Sequence, residues 1–154
     1  MTIPGLLLRP ARREDSAAIA VLIDQLGHPG SSAEDVAARL PLIEAAGMDA
    51  LVAELDGCVV GCLTTSVMPV LHRPRPVGRI AMLVVAEGQR GKGIGAALLR
   101  AGEAALAARG CTMIEVTSNN TRKDAHRFYE REGYEATSLR FAIHAEAGHS
   151  GAGH

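Results

Sequence analysis

An excess of charge of either sign is missing from this sequence of 154 residues, since 16 lysines and arginines stand against 17 aspartates and glutamates. Nucleic-acid-binding proteins usually carry a strong basic excess, so the bulk charge indicates no nucleic-acid partner. Long apolar runs are missing too. No run approaches the ~20 residues of a membrane span, and Leu6–Leu8, which Arg9 follows, is too short for a signal peptide. We therefore expect a cytoplasmic protein with no membrane partner.

Cysteine is scarce, and no CxxC pair typical of metal sites is present among Cys58, Cys62 and Cys111. Cys58 and Cys62 share a face of one predicted strand but lie too far apart there to form a disulfide easily. We expect all three to be buried free thiols in a reducing compartment. No metal site is expected in the histidine-containing tail, because no rigid element aligns its side chains.

Tryptophan is absent, and the four aromatic residues all lie between positions 128 and 141. Internal repeats and linkers are absent as well. Hydrophobic residues make up 47 % of the chain and charged residues 21 %, which is enough for one core and a soluble surface and excludes a disordered chain. The sequence predicts a single domain over residues 1–154, with a flexible tail from about residue 145.

Apolar periodicity predicts the element order β-α-α-β-β-β-α-β-α-β. In the first half we expect a helix capped by Asp15 and a second helix that starts with capping-box patterns at Ser31 and Ser32 and is kinked or split at Pro41. The Asp56-Gly57 pair between two apolar runs predicts a hairpin.

The second half predicts a strand buried on both faces over 79–85, a strand over 111–117 and a helix capped by Asp124. One or two further strands are expected within Tyr134–His144. Because hairpins come first and strand–helix–strand units follow, the pattern favours an α/β fold with a mixed sheet and helices on both faces.

Three alternating glycines, Gly91, Gly93 and Gly95, stand where the buried strand gives way to a helix. Since glycine lacks a Cβ atom, the backbone there can approach a ligand closely. Backbone N–H groups and the positive end of the helix together form an anion site, to which Arg90 and Lys92 add two charges. The stretch predicts a phosphate or pyrophosphate site.

Two other interpretations of the glycines are open. The Walker pattern is absent, but Gly91, Gly93 and Ala96 satisfy a dinucleotide fingerprint, with Glu115 about 20 residues further on. Against it, the residues from 86 to 90 separate the strand from the first glycine, and a hairpin precedes the motif where a doubly wound fold would begin with it. An ordinary glycine-rich turn is the second alternative.

The run from Arg90 to Gly95 resembles the R/Q-x-x-G-x-G/A signature of the GNAT superfamily of acyl-CoA N-acyltransferases. Residues 125–134 resemble the family's second marker, A-x-x-x-Y-x-x-x-G-[FY]. The similarity covers nearly all of residues 6–144, and two motifs with a strand between them are more specific than either alone. Residues 117–129 are most similar to bacterial aminoalkylphosphonate N-acetyltransferases and related small-amine enzymes.

The resemblance implies a GNAT-type mixed, mostly antiparallel central sheet flanked by helices on both faces, and direct transfer of an acetyl group from acetyl-CoA to a primary amine of a small molecule. Backbone N–H groups would bind the pyrophosphate, the pantetheine arm would pair with a strand edge, and a Val84 or Val85 amide would polarise the thioester carbonyl. A homodimer is a further expectation. The implied coenzyme-binding residues are Leu83, Val84, Val85, Arg90, Gly91, Lys92, Gly93, Ile94, Gly95, Ala96, Asn119, Asn120 and Asp124.

Tyr129 is the catalytic residue that the resemblance implies, with its hydroxyl directed at the coenzyme A sulfur. From the residues alone, a core aromatic is the alternative. Full proton transfer from a tyrosine of pKa ~10 to a thiolate of pKa ~8.5 is uphill by roughly 2 kcal/mol, whereas a hydrogen bond is not. We therefore expect a hydrogen-bond donor or a late general acid.

A general base is harder to assign. Many family members carry a glutamate on the strand before the glycine loop, but this chain has Ala81 and Met82 there. Glu115, His72 and His28 are the candidates, and a water chain or an acceptor of low pKa is equally open. Two other function classes are also open: a non-catalytic acyl-CoA-binding module and an NAD(P)-dependent reductase.

Overall fold

The computed structural model describes residues 2–118 and 122–145. The described residues up to 116 and those from 117 onward form two compact units. The elements, in chain order, are β1 (Leu6–Pro10), α1 (Ser16–Leu26), α2 (Ala33–Ala45), β2 (Ala50–Leu55), β3 (Cys58–Met68), β4 (Val77–Val85), α3 (Ile94–Ala108), β5 (Met113–Val116) and α4 (Lys123–Arg131).

The five strands of the first unit form one sheet in the order β1-β2-β3-β4-β5. All neighbouring pairs are antiparallel except β4 and β5, which run parallel. The predicted mixed, mostly antiparallel sheet is confirmed. A doubly wound dinucleotide-binding fold needs a mostly parallel sheet that begins at the glycine motif, so the dinucleotide interpretation of the glycines is wrong.

Helices cover both faces of this sheet, as predicted. On one face, Ile19 and Leu22 of α1 and Val36 of α2 pack with Val52 and Cys62 in one buried cluster. On the other face lies α3, whose Leu98, Leu99 and Leu106 are fully buried.

Two glycines allow α3 to lie close to the sheet. A Cβ atom on Gly61 of β3 would be 2.8 Å from Leu98 Cδ1, and one on Gly102 of α3 would be 2.8 Å from Leu63 Cδ2. Side chains at either position would push the helix outward, so these glycines serve close packing.

The local signals at helix and hairpin ends are largely confirmed. Ser32 Oγ accepts the Asp35 N–H at 3.1 Å while the Asp35 carboxylate accepts the Ser32 N–H at 3.0 Å, which is a reciprocal capping box. Asp56 and Gly57 both have positive φ, 50° and 87°, as a tight hairpin turn requires.

The expected split at Pro41 is wrong, because α2 continues through it as one helix from Ala33 to Ala45. A proline removes a single backbone donor, and a helix with a capped start that packs on a sheet can sustain that loss. Cys58 also differs from expectation. It is exposed, whereas Cys62 and Cys111 are buried; all three are free.

The second unit corrects two predictions. Arg122, not Asp124, is the N-cap of α4, so Asp124 lies in the first turn, where it forms an ion pair with Arg127. No strand is present within the described residues 134–145. The alternating apolar side chains of Phe141 and Ile143 are 89 % and 91 % exposed. Alternation alone makes no strand, because a strand also needs a neighbour to accept its backbone hydrogen bonds.

Candidate active site

The edge of β4 opens halfway along its length. β5 pairs with β4 only from Val77 to Ile80, where Ile80 faces Val116. Opposite this edge, β3 pairs Thr65 with Ile80 but Thr64 with Met82. The register shift leaves Ala81 as the extra residue of a bulge. Beyond the bulge, β4 continues to its end paired only with β3 among the strands that the structure describes.

Backbone groups on the open part of β4 alternate between the two sides. The Ala86 N–H donates to the Val60 carbonyl at 2.8 Å, so Val60 and Ala86 are a hydrogen-bonded pair of the antiparallel ladder. Hydrogen-bonded pairs alternate with non-hydrogen-bonded pairs along an antiparallel ladder. Val84 therefore bonds to β3, whereas Leu83 and Val85 direct their N–H and C=O groups toward the open edge. Of the two amides expected to polarise a carbonyl, only that of Val85 therefore faces the open edge.

The glycine-rich loop connects β4 to α3. Gly91 and Gly93 have φ of 82° and 87°, in the left-handed region where other residues are strained. A Cβ atom on Gly91 would meet nothing within 4 Å. The backbone path, rather than lack of space, thus requires glycine at this position. Gly93 is the N-cap of α3, which begins at Ile94.

The first turn of α3 presents donors that the helix itself does not use. The first intrahelical bond runs from the Ala97 N–H to the Gly93 carbonyl at 3.1 Å. The N–H groups of Ile94, Gly95 and Ala96 precede it and have no carbonyl within the helix to bond. The buried Ile94 side chain, 1 % exposed, anchors this end of the helix to the core. The amides and the positive helix end favour an anion here.

The two cationic side chains of the loop donate hydrogen bonds to different acceptors. Arg90 Nε donates to the Val85 carbonyl at 3.0 Å, which ties the loop to the end of β4. Lys92 Nζ donates to Gln89 Oε1 at 2.8 Å. Both side chains are exposed. An anion at the start of α3 would therefore meet two positive charges as well as the amides.

An open strand edge that leads into a glycine loop at a helix start was expected from the acyltransferase resemblance, and comparison with known proteins decides the family. The sequence profile of the acetyltransferase (GNAT) family matches residues 19–134. The chain belongs to the GNAT acetyltransferase family.

Individual relatives agree with this assignment. The chain is 40 % identical over 86 residues to the aminoalkylphosphonate N-acetyltransferase of Salmonella typhimurium, and the alignment covers 56 % of each protein. The chain thus spans about half the length of the curated relative that it matches.

Solved structures agree as well. A Trypanosoma brucei acetyltransferase is 26 % identical with a TM-score of 0.79, over 91 % of this chain and 99 % of that one. An aminoglycoside N-acetyltransferase in complex with CoA has the same fold, with 18 % identity and a TM-score of 0.81 over 94 % and 99 % of the two chains.

The second GNAT marker lies on α4 of the second unit. The half-buried Tyr129 ring makes edge contacts with Phe128 and Tyr134, with ring centroids 5.1 and 5.8 Å apart. Burial raises the pKa of the Tyr129 phenol above its usual value, so the hydroxyl keeps its proton across the neutral range. Phe141, the remaining aromatic residue of the chain, is 89 % exposed. Asn119 and Asn120, predicted to bind the coenzyme, lie outside the described residues.

The three candidate bases have different surroundings. The Glu115 carboxylate accepts two hydrogen bonds from Arg79, at 2.6 and 2.9 Å. His28 and His72 are both exposed. Glu115 is thus engaged in an ion pair, and neither histidine is held in a buried site. Within the described ranges, no group of three or more His, Cys, Asp or Glu side chains is placed to hold a metal ion, and no helix is long and apolar enough to cross a membrane.

The two buried thiols are poor nucleophiles in this environment. Burial raises the pKa of Cys62 to about 12, and the negative charge of Asp15 adds to the effect. Burial also raises the pKa of Cys111. Since the thiolate is the nucleophilic form of cysteine, both side chains remain in their unreactive form near neutral pH.

Proposed function

We propose that this GNAT protein transfers an acetyl group from acetyl-CoA to a primary amine of a small molecule by direct transfer. One observation carries the proposal. The outward-facing backbone of Leu83 and Val85 leads directly into the glycine loop and the unused amides of α3. A strand edge suits an extended amide-containing arm, and a helix start suits a pyrophosphate. Acetyl-CoA contains both groups in sequence.

The coenzyme would then be held mainly by backbone atoms. The N–H groups from Arg90 to Ala96 surround the pyrophosphate, with the Arg90 and Lys92 charges nearby. The outward-facing backbone groups of Leu83 and Val85 pair with the pantetheine arm as an added strand would, except that the Val85 carbonyl already accepts a hydrogen bond from Arg90 Nε. The N–H groups of Leu83 and Val85 both face the open edge, and the Leu83 N–H, which is farther from the pyrophosphate loop, can stabilise the oxyanion that forms when the amine attacks the thioester.

Tyr129 is proposed to assist departure of the coenzyme A thiolate. Its raised pKa keeps the phenol protonated, so the hydroxyl is available as a hydrogen-bond donor when negative charge develops on sulfur. A covalent acetyl intermediate on Cys62 or Cys111 is disfavoured, because burial keeps both thiols protonated. The amine therefore attacks the thioester directly.

The acceptor's ammonium group must also lose a proton before it can attack the thioester. An alkylammonium ion of pKa ~10.4 is neutral in about one molecule in 2500 at pH 7, which corresponds to roughly 4.6 kcal/mol. With Glu115 held by Arg79, a water chain or a weakly basic acceptor accounts for this step better than a carboxylate base. The acceptor itself is not named by these residues.

The test is acetyl-CoA-dependent release of free thiol across a panel of amines, with NADH oxidation as a control. Aminoalkylphosphonates belong in the panel because the Salmonella relative is named for them. We expect release with a primary amine and no NADH consumption. Tight acetyl-CoA binding without turnover on any amine would instead indicate a binding module. The expected homodimer stays a prediction that the solution mass would test.

A further inference from the structure

A cavity lies on the side of the sheet that α1 and α2 cover. Its volume is about 150 Å³, and its walls come from both helices and from β2, β3 and β4. Ile23 of α1 and Leu40 of α2 form part of the helix side, and Cys62, Thr64 and Met82 form part of the sheet side. All of its lining residues belong to the first unit.

The lining of this cavity is almost entirely apolar. Among the described residues that line it, Arg39 and Thr64 carry the only polar side-chain groups besides the Cys62 thiol, and none of these groups is a carboxylate or an imidazole. Arg39 is exposed, and its Nη1 donates to Ser31 Oγ at 2.9 Å, which holds the charge at the rim. An apolar cavity of about 150 Å³ is large enough for a benzene-sized molecule.

The cavity adjoins the strand where the thioester is proposed to lie. Met82, which lines the cavity, directly precedes Leu83, whose backbone faces the open edge of β4. Successive residues of a strand are about 3.3 Å apart along its axis. The cavity thus contacts β4 beyond Ile80, where the pairing with β5 has ended, so an amine on a short arm can extend from the cavity toward the open edge.

We infer that this cavity binds the apolar body of the acceptor, and that the acceptors are monoamines whose body is compact and apolar, up to the size of a phenyl or branched pentyl group. This inference rests on the proposed acetyl transfer and specifies its substrate class. Among the described lining residues no side chain pairs with a second ammonium group, and the positive charge of Arg39 repels one. Polyamines and hydroxyl-rich aminoglycosides do not match this cavity.

The same lining bears on how the amine loses its proton. Burial of the apolar body draws the adjoining amine out of bulk water, which favours its neutral form over its ammonium form. Since no carboxylate or imidazole is present among the lining residues that the structure describes, the acceptor binds and reacts as the free base. The rise of kcat/KM with pH should then follow the pKa of each free acceptor rather than a fixed enzyme group.

The first test uses the unmodified protein and a series of amines of growing apolar body, from ethylamine through isobutylamine and isopentylamine to benzylamine. Each added methylene should raise kcat/KM about fourfold until the cavity is full. Ethanolamine and putrescine should be poor acceptors. NMR titration of the CoA-loaded protein with the same amines measures binding separately from turnover.

A matched pair of variants locates the binding. Ile23→Trp introduces a large ring at a half-buried position of the lining, whereas Val21→Trp introduces it on the same helix at a position that is 56 % exposed. Ile23→Trp should weaken benzylamine binding at least tenfold and leave CoA affinity unchanged. Val21→Trp should change neither.

The outcomes distinguish the cavity assignment from the proposed acetyl transfer. Binding of apolar amines that Ile23→Trp abolishes, without any acetyl transfer, supports the cavity assignment and contradicts the proposed function. Efficient acetylation of putrescine or aminoglycosides, with no dependence on apolar size and no effect of Ile23→Trp, overturns the cavity assignment and leaves acetyl transfer intact. Absence of binding by every apolar amine overturns the assignment as well.

Discussion

Arg79 Nη2 donates to Glu115 Oε1 at 2.6 Å across the parallel pair of β4 and β5, one residue before that pairing ends. The two side chains are 34 % and 30 % exposed. This ion pair thus joins the two strands just before their pairing ends and the edge of β4 opens. The ion pair also occupies the Glu115 carboxylate, which is one of the candidate general bases in the sequence.

Glu115→Gln tests that role. Because the amide can still accept a hydrogen bond from Arg79, we expect acetyl transfer within about threefold of the original rate and a loss of unfolding free energy of about 1 kcal/mol or less. Steady-state kinetics and urea unfolding measure the two effects. Glu103→Gln on α3, whose carboxylate likewise pairs with an arginine, Arg100, is the control. A general base contributes roughly 10²–10⁴-fold, so a hundredfold loss would identify Glu115 as the base.

Gly91→Ala tests the glycine loop. Its φ of 82° strains any residue with a Cβ atom by roughly 1–2 kcal/mol, although the space around it is open. The loop should shift and the dissociation constant of acetyl-CoA should rise about tenfold, as calorimetry would measure.

Gly88→Ala is the matched control for the loop. It lies in the same loop with nothing within 4 Å of an added Cβ atom and without a left-handed φ. It should bind acetyl-CoA as the original protein does. Equal affinity in Gly91→Ala would mean that the pyrophosphate lies elsewhere.

Much of this site follows from local sequence. The strand before the loop, the helix start at Gly93 and the Asp56-Gly57 hairpin depend on short-range backbone preferences, which single residues such as glycine express strongly. The resemblance supplied the open edge of β4, which spacing alone does not reveal. The structure adds the direction of the backbone groups: those of Val84 bond to β3, whereas those of Leu83 and Val85 face the open edge.

Other features depend on partners that are distant in sequence. The pairing of Glu115 with Arg79 requires the parallel register of two strands that α3 separates. The segment 134–145 has the apolar alternation of a strand but no neighbouring strand within the described residues. The cavity under α1 and α2 arises from how side chains of five elements pack, and periodicity marks such residues only as core.

Tyr129→Phe tests the leaving-group role. Removing the hydroxyl should lower kcat by about 10²-fold or more while the dissociation constant of acetyl-CoA stays within about twofold. Tyr134→Phe, which changes a ring in edge contact with Tyr129, is the control and should retain kcat. Because burial raises the pKa of Tyr129, kcat should not fall through loss of this proton below pH ~10. Equal rates in Tyr129→Phe and the original protein would remove Tyr129 from the mechanism.

Asp15 links stability to pH. Hydrogen bonds from Arg9, at 2.8 and 3.0 Å, hold the pKa of the Asp15 carboxyl below its ordinary value, and the Arg12 N–H adds to the effect. A lowered native pKa contributes stability above the unfolded pKa that is lost as the pH falls through the native one. Asp15→Asn should therefore lower the unfolding free energy by about 2 kcal/mol at pH 7.

That difference should narrow as the pH falls below about 4, which urea unfolding over a pH series would measure. Asp24→Asn, which alters an exposed carboxylate on α1, the helix that Asp15 precedes, provides the comparison. A difference that is independent of pH would mean that the charge of Asp15 does not stabilise the fold.

The most direct test of acetyl transfer is the stoichiometry of products with the best amine of the panel. Mass spectrometry would quantify the N-acetylated amine while a thiol reagent measures free coenzyme A. The account predicts one acetylated amine for each thiol released, a protein that itself gains no acetyl group, and a greatly reduced yield at low acetyl-CoA for Gly91→Ala. Thiol release without acetylated amine, or a stable acetyl-protein on the path, would contradict direct transfer to a small-molecule amine.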